Sequence, residues 1–161
     1  MIPENNLRAL KLIADKLLGK QISWALIGSM SLALQGVDVD VHDLDILSTK
    51  EGAMEIAALL KEYETEPLRY TETEHYKDYH SIFTVQGVKV ELMGEMQHKT
   101  MDGRWVTGNR LSRLISIKVR DFVFPALDLK HEYQAYLSMG RVEKAKKIKE
   151  TLDRQKPKEE F

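Results

Sequence analysis

The chain contains no cysteine, which excludes disulfides, thiolate nucleophiles and cysteine-ligated zinc and makes a cytoplasmic address the simplest reading. It also carries almost no net charge. With 24 basic against 25 acidic residues, no global field draws it to DNA, RNA or an anionic membrane, although a local groove could still bind RNA. Long hydrophobic runs are missing as well: residues 1–20 follow an apolar pattern broken by Glu4, Arg8, Lys11, Asp15 and Lys16. That segment reads as an amphipathic helix, neither signal peptide nor membrane span. His75, His80, His98 and His131 have no spacing that would assemble a metal site. There is no internal repeat and no linker long enough to divide the chain. The expectation is one domain over residues 1–161, with a core at about 20–125 and C-terminal helices at about 128–153.

What is present is a set of oxygen donors at telling offsets. Side chains two apart on a strand share a face, so Asp43 and Asp45 in the run His42-Asp-Leu-Asp-Ile-Leu47 would stand together. Bare carboxylates that close resist joint ionisation, whereas a divalent cation holds both as anions. Oxygen-only ligands favour Mg2+ or Mn2+ over zinc, and magnesium shares its remaining positions with waters and substrate phosphates. Glu91, in the alternating stretch Val88-Lys-Val-Glu-Leu92, offers a third carboxylate if its strand pairs beside the first. Upstream, Ser23-Trp-Ala-Leu-Ile27 reads as a buried strand ended by Gly28-Ser29, with a short helix beginning near Met30. Glycine lets backbone approach a phosphate, and the serine hydroxyl adds a hydrogen bond.

With these residues in view, the chain resembles the minimal nucleotidyltransferase family, in the superfamily of polymerase-beta-like enzymes and antibiotic nucleotidyltransferases. Ile27-Gly28-Ser29 followed by Asp43-Leu44-Asp45-Ile46 matches the family signature at the long end of its spacing. The resemblance runs from about Trp24 to the C-terminal helices, where residues 127–141 are similar to the helix ending in Gly-Arg of many small members. It implies that Asp43 and Asp45 hold metal, that Gly28 and Ser29 bind the nucleotide triphosphate, and that Glu91 completes the site and assists the acceptor hydroxyl. Two departures stand out. Residues 36–42 replace the basic residue and threonine that many relatives carry before Asp-x-Asp, and no single basic residue declares itself as the triphosphate contact; Lys118, Lys130 and Arg141 are the candidates. Asp38 and Asp40 extend the alternation backwards, either as a solvated edge or as a feature favouring a cationic acceptor.

Helical spacing of Leu7, Leu10, Ile13, Ala14, Leu17 and Leu18 predicts a first helix, capped by Asn5 and stopped at Gly19. Thr49 precedes a second amphipathic run through Ala53, Ile56, Ala57, Leu60 and Tyr63. Residues 64–78 are polar and read as a mobile connection with an irregular strand near 69–73. Residues 80–92 form a hairpin turning at Gln86-Gly87, residues 98–109 are turn-rich, and strands at 114–119 and 122–124 end before Pro125. Asp128 caps a helix burying Leu129, Tyr133, Tyr136 and Leu137; after Gly140 another buries Val142, Ala145, Ile148 and Leu152, and residues 155–161 fray. The predicted fold is α/β (α+β): a nucleotidyltransferase-like mixed β-sheet flanked by helices, with a small C-terminal helical lobe.

The function expected is metal-dependent transfer of a nucleoside monophosphate from an NTP to an acceptor hydroxyl. That acceptor, whether small molecule, protein or RNA, is unreadable, as are nucleotide preference and oligomeric state. The alternative is a nucleotidyltransferase-like binding module or antitoxin acting through a partner protein; a two-metal nuclease ranks last because it does not need Gly-Ser. His42 reads as an exposed histidine before a carboxylate-orienting one. Tyr76, Tyr79 and Trp105 read as packing residues before base-stacking ones.

Overall fold

A computed structural model describes residues 1–107 and 110–156, with Arg110 in backbone only. The frayed tail expected at 155–161 therefore lies largely outside the described residues, as do positions 108 and 109 of the turn-rich stretch.

Among the described residues, eight strands form one mixed sheet: β1 (Trp24–Ile27), β2 (Leu44–Ser48), β3 (Glu64–Glu72), β4 (Tyr76–Val85), β5 (Val88–Lys99), β6 (Trp105–Thr107), β7 (Leu114–Val119) and β8 (Phe122–Leu127). Their order is β3-β4-β5-β2-β1-β8-β7, with β6 added to β5. Five helices accompany them: α1 (Glu4–Leu17), α2 (Gly28–Leu34), α3 (Lys50–Leu59), α4 (Leu129–Ser138) and α5 (Val142–Gln155). The central pairings position the site, since β2 runs antiparallel to β1 and parallel to β5, with Asp45 opposite both Ile27 and Glu91.

Strand alternation sorts the side chains into two layers. Trp24, Leu26, Leu44, Ile46, Phe83, Val90, Leu92 and Phe124 point to one face, where Leu10, Ile13, Ile56 and Leu60 from α1 and α3 close over them as the main core. Ile27, Leu47, Met93 and Met96 belong to a separate cluster on the other face, the face that also receives Asp45 and Glu91. There, Leu32 and Val37 pack with Leu129, Tyr136, Ala145 and Ile148, so the C-terminal lobe is anchored on α2 and the segment that follows it.

Several boundaries differ from the sequence reading. Pro3, not Asn5, precedes α1; its carbonyl accepts from the Asn6 and Leu7 amides, and Asn6 points its side chain to the His42 carbonyl instead. Tyr63 leaves the second helix, which ends at Leu59 and tightens into a 3-10 turn over Lys61–Tyr63. The polar stretch 64–78, predicted as a mobile connection with an irregular strand near 69–73, holds the longer strand β3 (Glu64–Glu72) and the first residues of β4, the two paired through two irregularities. As an edge strand it needs only one paired side, so charge and Pro67 are tolerated there. β5 continues through Lys99, into the first residues of the stretch expected to be turns, and pairs with β6, which lies within that stretch. Pro125 lies inside β8, opposite Ser116; pairing of β8 with β1 is confined to Leu26 and Ala126, where the ladder is already short. On α4 the buried positions are Leu129, Glu132 and Tyr136, while Leu137 is exposed; on α5 they are Ala145, Ile148 and Thr151, while Val142 is exposed. The predicted faces otherwise hold, since Leu129, Tyr136, Ala145 and Ile148 form one apolar cluster with Tyr133 and Leu152 packed against it.

At Gly94 on β5 the sheet lies close under α3, since a Cβ there would lie 2.7 Å from Ala53 Cβ. Gly94→Ala should cost about 1–3 kcal/mol of unfolding free energy in urea denaturation. The cost should shrink in an Ala53→Gly background, where the two changes form a coupled double-mutant cycle.

Candidate active site

The site begins with a glycine that no other residue could replace quietly. Gly28 ends β1 and starts α2 with φ +77°, and a Cβ there would collide with the Asp45 carboxylate. Left-handed backbone and close approach thus both demand glycine. The next residue, Ser29, is 7% exposed and accepts the His42 amide at 3.0 Å, leaving its hydroxyl hydrogen to donate. Asn6 donates to the His42 carbonyl at 3.1 Å, so the approach to Asp43 is tied from two sides. The His42 side chain is exposed, as are Asp38 and Asp40, which alternate with buried Val37 and half-buried Val39 on the solvated edge expected of them.

Asp43 precedes β2, Asp45 lies within it, and Glu91 is the register partner of Asp45 on β5. Burial first, then the charges of Glu91 and Asp43, push the Asp45 carboxyl up to about 7, against the opposing pull of Lys144 and Lys89. The sequence reading passed over Lys89. Its Nζ stands 3.0 Å from Glu91 Oε1 and 3.8 Å from Asp43 Oδ2, and the pairing with Glu91 raises its own pKa. The signal was available, because Lys89 and Glu91 are two apart on one strand. Among the described residues, no three Asp, Glu or His side chains are arranged to hold a metal ion as they stand. The donor chemistry nevertheless fits a hard divalent cation: the carboxylates are all-oxygen, mutually repelling and already drawing a lysine between two of them.

Facing them is a cleft of about 670 Å³ bounded by Asp45, Glu91, β3, β4 and α4. Arg141, one of three basic candidates, lines it, with its guanidinium 4.9 Å from the Tyr136 ring centre. Lys144, which sequence reasoning missed, stands 5.3 Å from the same ring; burial and Arg141 lower its pKa. Lys118 and Lys130 are exposed and do not line the cleft. Tyr76 lines it too, with its hydroxyl at Met139 Sδ, whereas Tyr79 packs edge-on to Tyr70 under Lys50, and Trp105 lies under Lys77. Glu66, Glu72, Asp78, His80 and Glu132 complete a predominantly acidic wall.

The mixed sheet with Gly28 under Asp45 has the architecture of a nucleotidyltransferase. A Thermotoga maritima protein with a provisional nucleotidyltransferase assignment has a TM-score of 0.80 to this chain and 36% identity, over 96% of this chain and 97% of its own. The lincomycin-bound lincosamide antibiotic adenylyltransferase LnuA shares the fold at a TM-score of 0.57 and 10% identity, over 92% and 97% respectively. No curated protein matches the sequence. The chain belongs to the aminoglycoside-2''-adenylyltransferase family, whose sequence model matches residues 9–153. The match starts inside α1, earlier than the Trp24 boundary expected from the motifs, and makes the protein a nucleotidyltransferase-type enzyme. Among the described residues no helix is long and apolar enough to cross a membrane.

Because the folded-state pKa of Asp45 is raised, the carboxyl favours folding while protonated and works against it once ionised. Stability of the metal-free protein should therefore fall as pH rises from about 4 to about 7. Asp45→Asn should remove that loss, raising stability at pH 8 by about 4 kcal/mol at most and changing it little at pH 4, as thermal melts in EDTA would show.

Proposed function

We propose that the protein transfers a nucleoside monophosphate from an NTP to an acceptor hydroxyl, releasing pyrophosphate, with Mg2+ or Mn2+ held by Asp43, Asp45 and Glu91. The observation that carries this reading is Asp45, kept half-buried between two other carboxylates at a cost that a cation would cancel. A bound divalent ion supplies the positive charge that neutralises the triphosphate and makes the acceptor hydroxyl more acidic.

The chain's own residues do the positioning. Gly28 gives the triphosphate access to backbone, and Ser29 offers its remaining hydroxyl hydrogen while its oxygen holds the His42 amide. Arg141 and Lys144, both beside the Tyr136 ring, supply the basic contact, and two like charges that close gain from an arriving polyanion. Lys89 offsets the charge of Asp43 and Glu91 until a stronger cation takes them. The family name and the lincosamide enzyme suggest a hydroxylated, amine-bearing antibiotic as acceptor, and the acidic wall of Glu66, Glu72, Asp78 and Glu132 has the complementary charge.

Incubation with labelled ATP, GTP, CTP and UTP and with kanamycin, lincomycin, RNA and protein acceptors tests the reading. Wild type should transfer label to an antibiotic in Mg2+ and stop in EDTA, and Asp43→Ala and Asp45→Ala should each lose at least about a hundredfold in rate. Transfer that survives both substitutions would sink the assignment. Arg141→Ala should raise the nucleotide KM several-fold with a smaller change in kcat.

A further inference from the structure

Beside the acid cluster, the cleft wall contains a second arrangement that the nucleotide-handling residues do not use. Asp78 on β4 is 4% exposed, unusual for a carboxylate on the penultimate strand of a sheet. It accepts the Thr71 hydroxyl at 2.8 Å on one oxygen and bonds His80 Nδ1 at 3.1 Å through the other. A carboxylate on Nδ1 fixes the tautomer with the proton there, which leaves Nε2 as the acceptor. His80 lines the cleft and its side chain is 22% exposed. The register brings it to the reaction: Ile82 is opposite Glu91 and His80 opposite Met93, so the imidazole sits one step, about 7 Å, along the same cleft-facing row. Glu91 itself is poorly placed to take a proton, since Lys89 holds it at 3.0 Å and, on the reading above, a divalent cation would hold it in the loaded site.

Building on the nucleotidyl-transfer reading, we propose that His80, oriented by Asp78 and Thr71, receives the acceptor hydroxyl in the cleft and takes its proton during transfer. The acceptor oxygen bonds to the alpha phosphorus, and the bond from that phosphorus to the bridging oxygen breaks. Pyrophosphate leaves with the electron pair, while the acceptor proton passes to Nε2. The resulting imidazolium is met by Asp78 on its own strand, by Glu91 from β5 and by Glu66 from β3; Arg69, its register partner on β3, and Glu132 and Arg141 across the cleft complete the charged surroundings. Its pKa is raised, first by the Asp78 hydrogen bond and against the effect of burial, so the contact that orients the ring also favours its taking up a proton. His80 is the catalytic residue of this assignment, and Asp78 a positioning residue that acts through it.

Two measurements on the full chain decide it. In 15N-resolved NMR of the wild type, His80 should be the Nδ1–H tautomer when neutral, and Asp78→Asn should lower its pKa; an Nε2–H tautomer would overturn the proposal without any turnover being measured. In kinetics with Mg·ATP and kanamycin or lincomycin, kcat/KM should fall on the acid side of the His80 titration. His80→Gln should remove that limb and lower kcat at least about a hundredfold while calorimetric binding of Mg·ATP is unchanged. Asp78→Asn should move the limb to lower pH, with Asp78→Glu restoring part of the rate. An active wild type whose His80→Gln variant keeps both rate and acid limb overturns the His80 assignment alone. A wild type that neither binds Mg·ATP nor labels an acceptor overturns the nucleotidyl-transfer reading, and this one with it.

Discussion

The close approach of Asp45 to Gly28 is the contact on which the rest of the site depends. It exists because β1 and β2 pair with Ile27 opposite Asp45, and because the backbone turns left-handed at Gly28 as β1 becomes α2. Any side chain at Gly28 would push the carboxylate away, and any slip of register would carry Asp45 to the apolar face under α1 and α3. The parallel pairing of β2 with β5 then adds Glu91 at the same level. Three strands far apart in sequence thus converge on one small area, which no single strand with a two-residue repeat could supply.

Holding that cluster together has an electrostatic cost, and the surroundings are organised to offset it. Lys89 bridges two of the acids from within β5, while Lys144 acts on Asp45 from the C-terminal lobe. The lobe is therefore more than a covering for α2: its Tyr136 gathers Arg141 and Lys144 on the ring, and its α4 supplies the wall opposite β4. Burial of Glu132 on the inner face of α4 follows from the same geometry, since that face looks into a polar cleft and not into a hydrocarbon core.

Much of the fold was legible before any coordinates. A continuous apolar run at 24–27 and alternation at 44–48 and 88–92 identified strands, and helical spacing identified α1 and α3, because each of these elements buries at least one face in the core and the burial writes its pattern into the chain. The errors fall where that pressure is weak. β3, an edge strand, is polar enough to resemble a loop; on α4 and α5 the apolar stripe is read correctly except at its margins, where Leu137 and Val142 are exposed. Pro125 was taken as a stop because proline usually ends a central strand, yet here the ladder beside it is short.

For the site, the sequence by itself determined the donor types and their local offsets: Gly28 with Ser29, Asp43 with Asp45, and Glu91 among apolar neighbours. Those are short-range relations, and strand periodicity is enough to interpret them. Lys89 as counter-ion was within reach of the same reasoning. Only the tertiary structure decided that Arg141 and Lys144, and not Lys118 or Lys130, join the acids, and that Asp78, His80 and Thr71 come together beside them. The reason is physical: these contacts join segments whose distance in the chain carries no information about distance in space, and that distance is set by which strands pair and by how the lobe docks on α2.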